Sequence, residues 1–276
     1  MITFGEIPDY EIHAIRYGSH GDRLLRENFI PPLAEPPDLH DAPMPMDFFV
    51  WVVRGGGRTI VIDTGFDTKE GALRGRDVTF PVENGLAALG IAPDTVADVV
   101  ITHMHWDHAG NHNLFPNARY HVQAQEMSYC TGPCMCHSYL RRTFSVEDVT
   151  AMVRRVFSGR VRFCEGEAEI APGVTVHLVG GHSQGLQIVR VKTRRGWVVL
   201  ASDASHYYAN INEERPFPIV ADVAEMMKGF ETIRSLASSP DHYIPGHDPK
   251  VLELYPRSLS QDMPHIVRLD AAPGSR

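Results

Sequence analysis

Apolar positions along this chain fall in short blocks cut by glycine and charge, with helical spacing confined to a few segments. Residues 48–53 are wholly apolar and 59–62 nearly so, and Arg54-Gly55-Gly56-Gly57-Arg58 lies between them. That pattern predicts a β-hairpin with a glycine-rich turn. Further strands are predicted over 97–101 and 119–122, then over 174–179, 186–191 and 197–200, with Arg194-Arg195-Gly196 as a hairpin turn. Ser145 followed three residues later by Asp148 reads as a capping box opening a helix through Phe157. Val223, Met226, Met227, Phe230, Ile233, Leu236 and Ala237 follow i, i+3, i+4, i+7 spacing, an amphipathic helix whose methionines belong to the core.

The strand blocks recur as two clusters, each closing with helical pattern, which periodicity alone reads as mixed α/β. No stretch is long enough to be a linker, so residues 1–276 are expected to form a single domain. Residues 30–46 carry six prolines and cannot be regular structure; they are expected to form a surface excursion or a lid. With 43% hydrophobic and 22% charged residues, the chain can bury a sizeable core. A net charge of −8 with no long basic run argues against a nucleic-acid partner. No apolar run approaches the ~20 residues of a membrane span, and residues 1–10 lack a signal pattern, so a cytoplasmic protein is expected.

Cys130, Cys134 and Cys136 lie in a segment, 124–145, whose spacing differs from zinc knuckles. They are read as free thiols in an insertion bordering the substrate entrance. The strongest chemical signal lies just before it. His103, His105, Asp107 and His108 follow the apolar run Val99-Val100-Ile101, so one short loop presents four donors to one small volume. Histidine nitrogen and carboxylate oxygen are ligands for zinc and similar divalent ions, which makes this loop a metal site. His112, His121, His177, His242 and His265 carry no such motif.

The run 102–110 resembles the signature of the metallo-β-lactamase superfamily, and later motifs agree with it in order. Gly180-Gly181-His182-Ser183 supplies the expected histidine after a glycine turn, Asp203 ends a β-rich run, and Gly246-His247-Asp248 supplies the last histidine. Upstream, Asp63-Thr64-Gly65 resembles the family's strand-to-turn motif. The resemblance implies an αββα sandwich, two β-sheets with flanking helices. It implies that His103, His105 and His182 hold one ion, that Asp107, His108 and His247 hold a second, and that Asp203 bridges them. Asp63 would orient a ligand imidazole. Seven ligands exceed what one tetrahedral ion uses, so two divalent ions per chain are expected, zinc first among them although Mn, Fe and Co suit the same donors. A hydroxide shared by the ions would then be the nucleophile.

Classical zinc β-lactamases usually lack the bridging aspartate and are exported, while glyoxalase-like thioesterases add a basic C-terminal region and nuclease members add large domains. The chain is most similar to the N-acyl-homoserine lactonase branch, which acts in quorum quenching. That resemblance implies a metal-dependent hydrolase opening a lactone ring; a cyclic imide, ester, thioester or β-lactam substrate is the alternative, and a non-hydrolytic metal protein the more distant one. Where those lactonases have a tyrosine three residues after the bridging aspartate, this chain has His206, followed by Tyr207 and Tyr208. His206 and Asp107 are therefore the candidate catalytic side chains. The expected partner is a small-molecule substrate; the sequence leaves a homodimer open.

Overall fold

The computed structural model describes residues 7–30, 41–259 and 263–274. Two β-sheets face one another. The first is built from β1 (Glu11–His20), β2 (Met46–Gly55), β3 (Arg58–Ile62), β4 (Asp77–Val78), β5 (Asp98–Val100), β6 (Arg119–Gln123), β7 (Val161–Cys164) and β13 (Ile266–Arg268), and the second from β8 (Glu167–Ala171), β9 (Val174–Leu178), β10 (Gln187–Thr193), β11 (Gly196–Ser202) and β12 (Tyr243–Pro245). The strand order is β13-β1-β2-β3-β5-β6-β7, with β4 also on β1, against β12-β11-β10-β9-β8. Trp51, Ile60, Ile62 and Val100 of the first sheet share one buried cluster with Val176, Ile188, Val198 and Leu200 of the second. On the other face of the first sheet, Val50, Val52, Val61 and Val99 pack under Leu86, Phe115 and Met152. Apolar side chains on both faces explain why 48–53 reads as an unbroken hydrophobic run: β2 is buried on both sides. The result is the expected sandwich with helices outside.

The sequence reading of the elements is reproduced closely. β2 and β3 turn at Gly56 and Gly57, both with positive φ; β10 and β11 turn at Arg194-Arg195. The helices run Val146–Phe157 and Val223–Leu236. At the first of these, Ser145 accepts the Asp148 N–H at 3.4 Å, the forward half of the expected box. Missed altogether was β1, a central strand whose alternation is broken by His13 and by a register shift between Arg16 and Gly18. Residues 31–40, the core of the proline-rich stretch, lie outside the described residues. None of the helices among the described residues is long and apolar enough to cross a membrane.

What the topology does for function is to align strand ends. β3, β5, β6 and β7 run parallel, as do β11 and β12. The loops following β3, β5, β11 and β12, together with the β9–β10 connection, carry the seven candidate donors along with Asp63 and His206. Such loops sit on a rigid scaffold while leaving side chains free to converge.

Candidate metal centre

Two groups of donors meet at these strand ends, and a third, His182, Asp203 and His206, overlaps both. His103, His105 and His182 bring their ligand atoms within 4.8 Å of one another, and so do Asp107, His108, Asp203 and His247. All seven are buried. The Asp203 carboxylate lies between them with one oxygen toward each group. Its Oδ2 is 3.2 Å from His182 Nε2 and 3.9 Å from His103 Nε2, while Oδ1 is 2.8 Å from His247 Nε2 and 3.1 Å from His108 Nε2.

The far nitrogens are committed elsewhere, which fixes the rings. His182 Nδ1 donates to the Ile219 carbonyl at 2.7 Å and His247 Nδ1 to the Asp47 carbonyl at 2.8 Å. His108 Nδ1 donates to Asp63 Oδ2 at 2.7 Å. His103 Nδ1 lies 3.1 Å from Thr102 Oγ1, whose hydroxyl donates to the same Asp63 oxygen at 2.8 Å. One carboxylate thus orients a histidine in each group. Asp63 itself has a φ of 61°, and Ser202, which precedes Asp203, has a φ of 45°. These left-handed conformations cost non-glycine residues energy and cluster at functional sites.

The free nitrogens and oxygens fit divalent cations. His103 Nε2, His108 Nε2 and Asp203 Oδ1 are buried with no hydrogen-bond partner. The Ile219 contact leaves a lone pair on His182 Nε2, which accepts from His105 Nδ1 at 2.8 Å. Lone pairs converging in a buried volume are disfavoured unless a cation shares them. Burial holds His103 and His105 well below the usual imidazole pKa, so both are neutral donors. Burial opposes the charged forms of Asp203 and His247 as well, but their mutual attraction outweighs it, lowering Asp203 well below and raising His247 above its usual value. The clusters are compatible with a dinuclear metal site, with oxygen and nitrogen donors that suit several divalent metals.

His206 sits against this centre. Its Nε2 is 3.0 Å from Asp203 Oδ2, and its ring stacks on Phe217 with centroids 3.6 Å apart. Burial pushes its pKa down to about 3, so the imidazole is neutral. It lines the cleft of about 80 Å³ that opens onto the donors, along with Met46, Phe48, Trp106 and Ile219. Tyr207 and Tyr208 do not line it; the Tyr207 hydroxyl donates to the Pro45 carbonyl at 3.2 Å. Thr143 brings the 124–145 segment to the cleft, and Tyr129, Tyr139, Leu140 and Arg142 of the same segment line an adjoining depression. The cysteines line neither, and all four are free thiols. A further cleft behind the His182 loop, about 410 Å³ between residues 178–184 and 221–225, holds none of the seven donors.

One residue that spacing did not single out ties the site together. Glu126 is fully buried; Oε1 accepts the Met104 N–H at 2.8 Å, and Oε2 accepts the Gly185 N–H at 3.0 Å and the Ser183 hydroxyl. It clamps the loop of His103 and His105 to the loop of His182. Gly185 is required there, because a Cβ would lie 2.1 Å from the Glu126 nitrogen. A lone glutamate at the start of a helical stretch carries no local signal of this role.

Comparison with known proteins follows the same lines. A family model described as the metallo-β-lactamase superfamily matches residues 49–249. An N-acyl homoserine lactonase of Bacillus thuringiensis is 30% identical over 137 residues, covering 49% of this chain and 49% of that protein. The chain thus spans about half the length of that relative. The N-acyl homoserine lactonase AttM of Rhizobium radiobacter is 26% identical over 227 residues, covering 76% and 84%. The crystal structure of a quorum-quenching N-acyl homoserine lactone lactonase shares the fold at a TM-score of 0.69 and 22% identity, covering 87% of this chain and 92% of that one.

Proposed function

The chain belongs to the metallo-β-lactamase superfamily, and from its site we propose a dinuclear metal-dependent hydrolase that opens a lactone ring. The observation that carries this reading is the Asp203 carboxylate, each oxygen turned to a separate group of buried, converging donors. His103, His105 and His182 would hold one ion, Asp107, His108 and His247 the other, and Asp203 both; zinc is the first candidate. Bound there, the ions would supply a hydroxide nucleophile at neutral pH and a Lewis acid for the attacked carbonyl. The lactonase names of the relatives favour a ring ester of the N-acyl-homoserine-lactone type.

The chain's own residues account for the rest. Met46, Phe48, Trp106 and Ile219 give the cleft apolar walls that hold the ring and exclude water. The neutral His206 imidazole has one N–H, held on Nε2 by Asp203 Oδ2 at 3.0 Å, and is assigned to turn that N–H to a substrate oxygen when the ions engage the Asp203 carboxylate, a hydrogen bond worth most where charge develops. Asp107, a buried carboxylate lining the cleft, is assigned to take the proton released on attack and return it to the alkoxide as the ring C–O bond breaks. No serine or cysteine nucleophile is needed.

Purified protein assayed against lactones, imides, esters and β-lactams, with metal analysis alongside, tests this reading. Ring opening that stops on chelation, with ¹⁸O from labelled water in the product carboxylate, is expected. Full turnover by metal-free protein, or activity restricted to non-ester substrates, would overturn it.

A further inference from the structure

Two guanidinium groups line the cleft that opens onto the metal donors, those of Arg23 and Arg76. Arg23 is 8% exposed and Arg76 half-buried. Both are held by neutral acceptors. Arg23 Nε donates to Asn28 Oδ1 and Nη2 to the Glu27 carbonyl at 2.8 Å. Arg76 Nη1 donates to the carbonyls of Arg74 and Gly75, each at 2.9 Å. Among the described residues, neither has a carboxylate within ion-pair distance, whereas Arg16, Arg26, Arg74, Arg215, Arg234 and Arg268 all do. Burial first, and then the neighbouring Arg23 charge, pull the Arg76 pKa down.

Like charges gathered in a partly desolvated cleft are unfavourable unless an anion completes them. The chain as a whole carries −8, so this pairing runs against its overall balance. The largest acidic influences on Arg76 are Asp107, which belongs to the donor set of the candidate centre, and then Glu27. Guanidinium groups match carboxylates through paired, charge-assisted hydrogen bonds. Their anchoring is built in as well. Asn28, fully buried, receives Arg23 Nε while its own Nδ2 donates to the Met44 carbonyl at 3.1 Å, so the arginine is oriented before any ligand arrives.

Resting on the hydrolase reading above but departing from a neutral N-acyl-homoserine lactone as the substrate, we infer that Arg23 and Arg76 form a subsite for an anionic substituent, so that the preferred substrate is a ring ester bearing a carboxylate. Neutral lactones would fill the apolar walls but leave the arginines unsatisfied. Because the contact is made equally in the ground and transition states, it acts mainly on KM.

A matched pair tests this: 5-oxotetrahydrofuran-2-carboxylate and its carboxamide, alike in shape and different in charge. The metal-loaded protein is expected to show a KM at least about tenfold lower for the acid, and Arg76→Gln and Arg23→Gln should each shrink that ratio severalfold. Affinity read in parallel by calorimetry, using the saturated carbocyclic acid and amide as non-hydrolysable probes, should show the same preference. If neither lactone is turned over, the hydrolase reading fails while the calorimetric preference still decides the subsite. Equal affinity for acid and amide, or a preference unchanged in both variants, would overturn the inference. Arg76→Gln guards against loss of folding, since Arg76 is the less buried of the two.

Discussion

Glu126 Oε2 accepts the Gly185 N–H at 3.0 Å across 59 residues of sequence, joining the two loops that carry His103, His105 and His182. A carboxylate in that position accepts from three donors at once, which an amide cannot do. Glu126→Gln is therefore expected to weaken metal binding at the three-histidine group by about 10- to 100-fold, with the second group less affected. Metal titration after chelation and dialysis reads this directly. Two equivalents bound with unchanged affinity would show the clamp to be dispensable.

Asp203 presents one oxygen to each donor group. Replacing it by alanine should lower metal content at both positions, because each loses a ligand and the two clusters lose the anion between them. Elemental analysis of Asp203→Ala is expected to find less than one equivalent per chain. Loss of a single equivalent would contradict the bridging role.

His206 contacts Asp203 and lines the cleft, yet the seven-donor set is complete without it. His206→Ala should reduce kcat at least tenfold on the true substrate with metal content retained, the scale expected for a single donor acting on developing charge. Retention of rate within about twofold would move the donor role elsewhere.

Asp98 on β5 lies 2.7 Å from His121 on β6, outside the donor set. The hydrogen bond from His121 holds the Asp98 carboxyl below its usual pKa. A lowered folded-state pKa gives stability that is complete above the unfolded value of about 3.9 and is lost as pH falls through the lower folded value. Asp98 is partly exposed, so the effect should be about 1 kcal/mol or less. Urea unfolding of Asp98→Asn against the parent should show a gap at pH 6 that closes toward pH 3. A gap that widened on acidification would reverse the sign argued here.

Much of the site was legible because its chemistry is local. His103, His105, Asp107 and His108 fall in six residues after an apolar run, and a single loop after a strand end necessarily presents them together. Asp63, His182, Asp203 and His247 could be assigned only through their order along the chain. Each follows a strand or a glycine turn, positions that parallel strands bring to one edge. β2, Val146–Phe157 and Val223–Leu236 declared themselves by period, since burial on both faces or along one stripe writes directly into hydrophobic spacing.

Tertiary structure alone decided the rest. β1 hides its strand character behind His13 and a bulge, because its polar groups are satisfied by distant partners such as Ser258, 3.0 Å from the His13 ring. Tyr207 is turned away from the cleft to a carbonyl 162 residues distant, while His206 beside it faces Asp203; no spacing rule separates neighbours in a turn. Glu126, Arg23 and Arg76 lack a motif because their roles depend on groups brought near by folding, and on the absence of a counter-charge near the two arginines among the described residues. Sequence by itself determined which donors the chain owns and the scaffold that presents them. Only folding determined which nitrogens are held by carbonyls and which point inward, because hydrogen bonds between remote loops set each ring's orientation.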